Sequence, residues 1–385
     1  MVDVQVVTVT GDRPAADYVV VAGQCCTASL RGEADVSDPS TDPAGHLAST
    51  GTSSEVTGAG ERGTLAERAT LAPPAEPDQP AGHGVSLNSV GPWWASDVAR
   101  GPRAIPREFS GGSQAESLWL RASSLRPGCP LVSVSSADGG VGRSTLTAAL
   151  GGVLALASPA PIVAVDATAR AWGGLGHRVV RGSAASAWDA SVAETKLADP
   201  RTAEELMQRG PTGLRVLVGE SKMTAQRRPP TWSEMFGVIG HLRSVYAMAL
   251  LDLPAADNTP TWRALGWATV PVLVSRATVD ALQHTMRLLA HLKAAGLDQV
   301  AESAVVVVMT TTHSTAREVR AVEQLARQAA THLVRVPFDP VLARPDPLDP
   351  RSLSKATRTA LTEVAAAVVD RCPADPGAHE GASVA

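Results

Sequence analysis

LVSVSSADGGVGRSTLTAAL, residues 131–150, joins an apolar strand to a glycine-rich turn and then to a helix. Val132 and Val134 alternate along the strand, whereas Leu146 and Leu150 recur at helical spacing after the turn. Backbone N–H groups of such a turn can close around a phosphate, and the helix N-terminus favours negative charge there. The stretch therefore predicts a phosphate-binding loop. Its glycines are Gly139, Gly140 and Gly142.

The loop departs from the usual phosphate-loop pattern at two positions. That pattern runs Gly, four residues, Gly, Lys and Ser or Thr, whereas this chain has Ala137 at the first Gly and Arg143 at the Lys. A glycine-rich turn that joins a strand to a helix without binding a ligand is therefore a second interpretation. The order strand, GGVGRST, helix favours the phosphate loop.

Length and composition exclude several classes of protein. With 385 residues, 44% of them hydrophobic, the chain can bury the core of one large domain or two ordinary ones. A net charge of -4 argues mildly against a dedicated nucleic-acid binder. The four cysteines show no CxxC spacing, which indicates neither a zinc site nor a disulfide framework. Since no apolar run reaches about 18 residues and the N-terminus lacks a basic region followed by an apolar one, we expect a cytoplasmic protein without direct membrane insertion.

The N-terminal third differs in composition from the rest. Residues 1–27 contain two β-like runs that together resemble a hairpin, either added to a sheet edge or without a fold of its own. Residues 28–126 are rich in Pro, Gly, Ala and Ser and predict a disordered segment. Inside it, the pair Trp93 and Trp94 is either a docking motif for a partner or a local contact with the folded domain. Residues 114–124 indicate a short helix.

Strands and helices alternate over the remaining chain. Apolar runs predict strands at 161–166, 214–218, 246–251, 269–275, 304–309 and 333–336. Helical spacing predicts helices at 202–209, 231–242, 278–295, 317–331 and 353–369. Such alternation predicts an α/β fold with a doubly wound, mostly parallel sheet and helices on both faces. We assign residues 127–372 to this domain and residues 373–385 to a disordered tail.

Two of the predicted strands lead into an acidic residue. The run PIVAVD ends at Asp166, and the strand at 246–251 is followed by Asp252. Ligands bind at the carboxyl ends of parallel strands, and a strand-end Asp holds Mg²⁺ in phosphate-loop folds. A strand that ends in Asp is common by itself. The chain order of loop, Asp166 and Asp252 is what indicates a Mg²⁺ site.

Six segments resemble the MinD/ParA group of deviant phosphate-loop ATPases when they are taken together. They are, in order, GGVGRST, VAVD, MALLDLP, VPVLVSRATVDALQHTMRLLAHL, VVVVMTT and VPFDPVLAR, within residues 129–370. The resemblance implies a cytosolic α/β protein that binds ATP or ADP with Mg²⁺ and forms a nucleotide-dependent homodimer. It also implies protein partners, because the group positions partition, division, pilus or secretion machinery. Abundant Ala, Val, Gly and Arg fit a GC-rich bacterial origin.

Carried over by position, the resemblance implies a role for each residue of the loop and of the adjoining pocket. The cofactor-binding residues would be Gly139, Gly140, Val141, Gly142, Arg143, Ser144, Thr145, Thr310, Pro337 and Asp339. The catalytic residues would be Arg143, Asp166 and Asp252. The Mg²⁺ ligands would be Ser144 and Asp252. In this assignment Thr145 approaches the α-phosphate, Asp166 lies in the switch region, and Thr310, Thr311 and residues 337–339 lie near the adenine.

The chain departs from this family at its two loop lysines. The family loop begins Gly-Lys-Gly-Gly, and its lysine reaches the nucleotide of the partner subunit, whereas this chain has Ala137 and Asp138. Asp138 reverses the charge beside the phosphates. Arg143 keeps the charge of the second lysine, but a planar guanidinium does not replace a compact ammonium. We therefore expect hydrolysis to fall by ~10²–10³-fold or more.

Three functions follow from these features. The favoured one is a degenerate nucleotide-binding protein that acts as a regulator or positioning factor, or as a scaffold, with weak or no ATP hydrolysis. The second is an active Mg²⁺-dependent ATPase, in which Arg143 or a residue outside the loop supplies the missing charge. The third is a protein-interaction module that kept the fold and lost the ligand, with the N-terminal segment recruiting partners.

Two further surfaces bear on partners. The apolar stripe of the helix at 353–369 is assigned to packing against the sheet, which disfavours anchoring to a membrane. The basic loop at 222–228 is the feature that favours nucleic acid, and a solvated loop is the preferred interpretation of it.

Overall fold

The computed structural model describes the larger, C-terminal part of the chain. The residues described are 93–94, 96, 101, 103–125, 128, 130–170, 173–220, 227–312, 320–322, 324–325 and 332–372. The hairpin expected in residues 1–27, most of the segment 28–126 and the tail 373–385 lie outside them. Residues 222–226 of the basic loop also lie outside, and the helix predicted at 317–331 is described only in part.

Eight strands form one sheet in this part of the chain. They are β1 (Leu131–Ser136), β2 (Ile162–Asp166), β3 (Gln208–Arg209), β4 (Arg215–Leu217), β5 (Met248–Ala255), β6 (Val270–Arg276), β7 (Val305–Met309) and β8 (His332–Val336). Their order across the sheet is β3-β4-β2-β5-β1-β6-β7-β8. The short edge strand β3 runs antiparallel to β4, and the other pairs are parallel. The mostly parallel sheet predicted from the sequence is confirmed.

Helices cover both faces of the sheet. They are α1 (Ser113–Ser123), α2 (Arg143–Ala157), α3 (Ala187–Val192), α4 (Pro200–Leu206), α5 (Trp232–Val245), α6 (Thr259–Trp267), α7 (Val279–Ala294), α8 (Asp298–Ser303), α9 (Pro340–Ala343) and α10 (Lys355–Asp370). Val132 and Val134 pack in one core with residues of α2 and α10, whereas Leu131 packs in the other with residues of α5, α6 and α7. Because side chains alternate along a strand, β1 lies between two apolar layers.

The folded domain begins before residue 127. Helix α1 packs on α10, and Trp119 within it is buried and lies 5.2 Å from the ring of Phe109. Trp94 is also buried, and its indole Nε1 donates to the carbonyl of Val245 at 3.0 Å. The short helix predicted at 114–124 is present as α1, and the described residues that pack around it lie before the expected domain boundary at residue 127. Average composition concealed the few large apolar residues that pack, and the tryptophan pair makes the local contact named as one alternative.

Two element boundaries also differ from the predictions. The helix predicted at 202–209 ends at Leu206, because Gln208 pairs with Val216 in a short hairpin whose turn includes Gly213 at a φ of 86°. The strand predicted at 246–251 begins at Met248 and continues through Asp252 to Ala255. It extends further because β1 supplies hydrogen-bonding partners along that length.

Other sequence signals give the elements they predict. Thr231 and Glu234 form the predicted capping box, in which the Thr231 hydroxyl accepts from the Glu234 N–H and the Glu234 carboxylate accepts from the Thr231 N–H. The apolar stripe of α10 is buried in the domain, as predicted. Among the described helices none has the length and apolar character needed to cross a membrane.

Candidate functional site

The loop between β1 and α2 leaves the N-terminus of the helix open. Gly140 and Gly142 have φ values of 67° and 95°, a left-handed conformation that glycine adopts without strain. Val141 between them is buried and anchors the loop in the core. In the part of the chain that the structure describes, no side chain caps the first turn of α2. The N–H groups of this turn are therefore available to an anion.

Arg143 is held at the base of the loop. Its Nη1 donates to the Ser136 hydroxyl at 2.9 Å, and that hydroxyl donates to the Asp138 carbonyl at 2.5 Å. Burial lowers the pKa of Arg143, while the charges of Asp252 and Asp257 oppose that shift. The guanidinium keeps its charge. It occupies the position of the second family lysine, but it is bound to the loop itself.

Asp166 and Asp252 form a buried pair of carboxylates. They are register partners on the neighbouring strands β2 and β5. Burial raises the pKa of both side chains, and that of Asp252 reaches about 8, with the charge of Asp166 as a further cause. Asp166 Oδ2 and Asp252 Oδ1 are buried without a hydrogen-bond partner among the described residues. The pair predicted from chain order is therefore brought together beside the loop.

Ser144 joins the loop to this pair. Its hydroxyl lies near the Asp252 carboxylate and is one of the groups that act to lower the pKa of that side chain. Two consecutive glycines pass close by: a Cβ at Gly174 would lie 2.7 Å from Ser144 Oγ, and one at Gly173 would collide with Asp166 Oδ2. Only glycine allows the chain to pass so near. We call Ser144, Asp166 and Asp252 the carboxylate flank of the loop.

The carboxylate flank fits a hard divalent cation. Carboxylate and hydroxyl oxygens are the donors that Mg²⁺ prefers, and two of the carboxylate oxygens here have no hydrogen-bond partner among the described residues. Across the described stretches, no group of three or more His, Cys, Asp or Glu residues could hold a metal by itself. Mg²⁺ usually combines one or two carboxylates with substrate phosphates and water. The flank therefore suits Mg²⁺ that arrives with a phosphate ligand.

On its other side the loop faces a different set of residues. Arg178 Nη2 donates to Thr145 Oγ1 at 2.7 Å, and Thr310 carries a buried hydroxyl without a hydrogen-bond partner within the described residues. We call Thr145, Arg178 and Thr310 the threonine flank. Sequence reasoning missed Arg178, which lies in the glycine-rich stretch after β2, because no spacing rule connects it to the loop.

The pocket expected for adenine is a small cavity on the threonine flank. It measures about 60 Å³ and is lined by Gly142, Thr145, Met309, Thr310, Thr311, Phe338, Asp339, Leu342 and Ala343. Pro337, predicted to belong to it, follows β8 but is not among these lining residues. The Asp339 carboxylate accepts from the N–H groups of Val341 and Ser354 at 3.0 and 2.8 Å. It therefore fixes the start of α9, and contact between Asp339 and a base stays a prediction.

Three clefts follow one another along the loop. The small cavity shares Thr145 with a cleft of about 290 Å³ that is lined by the loop, Gly174 and Arg178. That cleft shares Ser144 with a third of about 530 Å³, which reaches Thr168 and Asp257. The loop backbone thus lies in the middle of a continuous row of concavities, from the threonine flank to the carboxylate flank.

Asp138 makes a contact that the sequence did not predict. His284 on α7 approaches its carboxylate, with 3.0 Å between Nδ1 and Oδ1. The two residues are 146 positions apart, so no local pattern connects them. The negative charge that replaces the early family lysine is therefore held next to a histidine at the mouth of the loop.

The described end of the basic loop is paired with carboxylates. Arg227 bonds Glu220 and lies within 3.5 Å of Asp189, and Arg228 makes a two-pronged contact with Glu234 at 2.7 Å for each bond. These pairs neutralise the two arginines locally. The interpretation of residues 222–228 as a solvated loop stays a prediction.

Comparisons with known proteins give likenesses of fold. No model of a known protein family matches the chain, and no curated protein matches it in sequence. Among solved structures, the chain is similar to a ParA family ATPase from Chlorobium tepidum at 17% identity and a TM-score of 0.48, over 60% of this chain and 96% of that one. It is also similar to the septum site-determining protein MinD of Pyrococcus horikoshii, complexed with Mg-ADP, at 20% identity and a TM-score of 0.43, over 62% and 94%.

A third similar structure is the Cyanothece McdA(D38A)–ATP complex, at 13% identity and a TM-score of 0.44, over 62% of this chain and 96% of that one. Identities this low describe the fold alone. The predicted fold itself is present in this molecule: a mostly parallel sheet with β1 near its centre, a glycine-rich loop after β1 and helices on both faces. The α/β fold predicted from the sequence, with a glycine-rich loop after β1, is therefore confirmed for the described domain.

Proposed function

We propose that this protein binds a nucleoside di- or triphosphate with Mg²⁺ at the loop after β1, and that it acts as a nucleotide-dependent regulator or positioning factor with weak or no hydrolysis. The single observation that carries the proposal is the carboxylate flank. Two buried carboxylate oxygens without partners among the described residues lie beside an open helix N-terminus. Such a pair is costly unless a cation completes it.

In this proposal different groups of the chain bind the phosphates and the Mg²⁺ of the nucleotide. The N–H groups of the loop and of the first turn of α2 bind phosphate oxygens. Asp252 and Ser144 hold Mg²⁺, with Asp166 beside them. Mg²⁺ held there would supply positive charge to the phosphates and to the carboxylates.

The position of Arg143 supports weak turnover. Its guanidinium is bound to Ser136 at the base of the loop, and burial leaves it poorly solvated. Hydrolysis requires positive charge where negative charge develops on the transferred phosphoryl group. A guanidinium bound to the loop does not move to that point as a compact ammonium would. Asp138 adds a negative charge at the mouth of the same loop.

Titration of the full chain with fluorescent ATP and ADP, with Mg²⁺ and with EDTA, tests the proposal. We expect saturable binding that Mg²⁺ strengthens, loss of that strengthening in Ser144→Ala, and loss of all binding in Gly142→Val, because a side chain there is strained at a φ of 95°. Absence of binding to either nucleotide would favour the ligand-free interaction module. Mg²⁺-dependent turnover at the rate of an ordinary P-loop ATPase would favour the active enzyme.

The same preparation tests the proposed partner state. The resemblance to MinD/ParA proteins motivates a nucleotide-dependent homodimer of this chain. Light scattering of the full chain with ADP and with ATP measures its mass in each state. We expect a larger mass with ATP, and an unchanged mass in Gly142→Val.

A further inference from the structure

We propose that Arg178 is a phosphate-binding side chain, which contacts the phosphate group nearest the base of a nucleotide bound at the loop. This role rests on the function proposed above and assigns to that site a cation that lies outside the loop. The contact would supply positive charge on the side of the loop opposite to Mg²⁺.

The backbone of Arg178 is held in place from two directions. The residue follows a 3₁₀ turn, Leu175–His177, and its N–H donates to the Leu175 carbonyl at 3.0 Å. Its own carbonyl accepts from the N–H of Leu348 at 2.9 Å. Leu175 and Leu348 are both buried in the core. The backbone position from which the Arg178 side chain extends is therefore set by the fold.

The guanidinium is oriented toward the first turn of α2. Nη2 donates to Thr145 Oγ1 at 2.7 Å, and Nη1 donates to the carbonyl of Arg344. A guanidinium has five N–H donors, and these two bonds to described residues use two of them. The side chain forms one wall of the cleft of about 290 Å³ whose other walls are the loop itself. An anion in that cleft would meet both Arg178 and the open N–H groups of α2.

The order of the clefts indicates which phosphate of the nucleotide Arg178 would contact. Thr145 lines both the small cavity and the Arg178 cleft, whereas Ser144 lines both the Arg178 cleft and the cleft of the carboxylate flank. A nucleotide with its base in the small cavity would extend its phosphates past Arg178 toward Ser144. The phosphate next to the base would meet Arg178, and the later phosphates would meet Mg²⁺. Arg178 should therefore act alike on nucleoside di- and triphosphates.

The charges around the loop support this role for Arg178. Asp138 stands at the mouth of the loop, and Arg143 is bound to Ser136. Burial lowers the pKa of Arg178, with the charge of Asp346 opposing that shift. A desolvated cation gains from a charge-assisted bond to phosphate. Arg178 is thus the residue outside the loop that can replace part of the charge lost with the family lysines.

Nucleotide titration of the full chain carrying Arg178→Ala tests this role. We expect its affinity for both fluorescent ADP and fluorescent ATP to fall by about 10- to 100-fold, the range for a lost bond to a charged group. The loss should be the same with Mg²⁺ as with EDTA, whereas Ser144→Ala should act only when Mg²⁺ is present. Arg178→Lys should recover part of the affinity. Arg201→Ala, which removes an exposed arginine on α4, is the charge-matched control and should bind as the wild type does.

Any of the following results would contradict the proposed role of Arg178. Unchanged affinity in Arg178→Ala, together with an effect of Ser144→Ala, would leave the nucleotide site in place without Arg178. Thr145→Val removes the hydroxyl and keeps the guanidinium, so a Thr145→Val, Arg178→Ala double variant that binds no more weakly than Thr145→Val alone would make Arg178 a support for Thr145 only. A melting temperature of Arg178→Ala well below that of Arg178→Lys would attribute the loss to folding. Absence of nucleotide binding by the wild type would overturn both this role and the proposed function.

Discussion

The carboxylate flank and the threonine flank lie on either side of one loop. The acidic residues of the first flank and the acidic residue beside the second differ in their hydrogen bonding. On the carboxylate flank, Asp166 and Asp252 each keep a buried oxygen without a partner among the described residues. Beside the threonine flank, Asp339 is equally buried, but two backbone N–H groups satisfy its carboxylate. Burial of a carboxylate thus indicates a ligand site only where its hydrogen bonds are incomplete.

The pKa values of Asp252 and Asp339 shift in opposite directions, in agreement with their hydrogen bonds. Burial, together with the charge of Asp166, raises the pKa of Asp252 to about 8, because Ser144 and Arg143 offset these two effects only in part. Hydrogen bonds from Ser354 and Val341 outweigh burial at Asp339 and hold the pKa of that carboxyl below its usual value. The two carboxylates therefore differ in that hydrogen bonds within the fold stabilise the charge of Asp339 but do not offset the burial of Asp252.

The largest expected effect comes from removing one charge of the carboxylate flank. In Asp252→Asn we expect the affinity for Mg²⁺–ADP to fall by roughly 10²-fold, because the metal loses a ligand of the kind it prefers. Affinity for ADP in EDTA should change little. Asp257→Ala, at an exposed carboxylate in the same cleft, is the matched control. Equal losses in the two variants, measured by calorimetric titration, would contradict a specific role of Asp252 as a metal ligand.

The framework role of Asp339 should appear as stability. Asp339→Ala leaves the N–H groups of Val341 and Ser354 without an acceptor, which costs about 2–3 kcal/mol. Asp349 caps the short turn Pro350–Ser352 in a more exposed setting, and Asp349→Ala should cost about 1 kcal/mol or less. Urea denaturation measures both values. A smaller loss in Asp339→Ala than in Asp349→Ala would show that Asp339 is available for a ligand.

The pH dependence of stability should distinguish the flanks in the protein without ligand. The pKa of Asp252 is raised on folding, so its contribution is fully present below pH ~4 and is lost as the pH rises toward about 8. We expect Asp252→Asn to abolish this loss of stability over that range. Urea denaturation in EDTA at several pH values measures it. Parallel profiles for the two proteins would contradict the raised pKa.

The smallest expected effect comes from the glycines that cover the carboxylate flank. In Gly174→Ala the new Cβ would lie 2.7 Å from Ser144 Oγ, so the serine must turn away from Asp252. We expect affinity for Mg²⁺–ADP to fall by about fivefold, which is about 1 kcal/mol. Gly182→Ala is the matched control, because a Cβ there meets nothing within 4 Å. Similar affinities in both variants would show that Ser144 does not need its present orientation.

The sequence predicted the fold because most of its signals are local. Alternating runs identified buried strands, and the capping box at Thr231 and Glu234 identified the start of α5. The position of α1 also followed from its periodicity. The packing of residues 103–125 did not, because average composition does not reveal which few large side chains reach the core.

The candidate site was predictable only in part for a related reason. Asp166 and Asp252 could be paired because parallel strands bring their carboxyl ends together. The bond between Arg178 and Thr145, and the approach of His284 to Asp138, depend on how a loop and a helix pack against the sheet. Likewise, the hydrogen-bond partners of Asp339 come from residues 341 and 354. Chain position alone therefore could not show whether Asp339 caps a helix or binds a cofactor.

The most direct test of the carboxylate flank is electron paramagnetic resonance of Mn²⁺, used in place of Mg²⁺, with the full chain. We expect the protein to bind Mn²⁺ tightly only when ADP is present, and Asp252→Asn to abolish that binding. This result would place the metal between the nucleotide and the carboxylate flank. Mn²⁺ that remains free with ADP, or that binds equally well to Asp252→Asn, would contradict the claim that the unpartnered carboxylates form a nucleotide-dependent cation site.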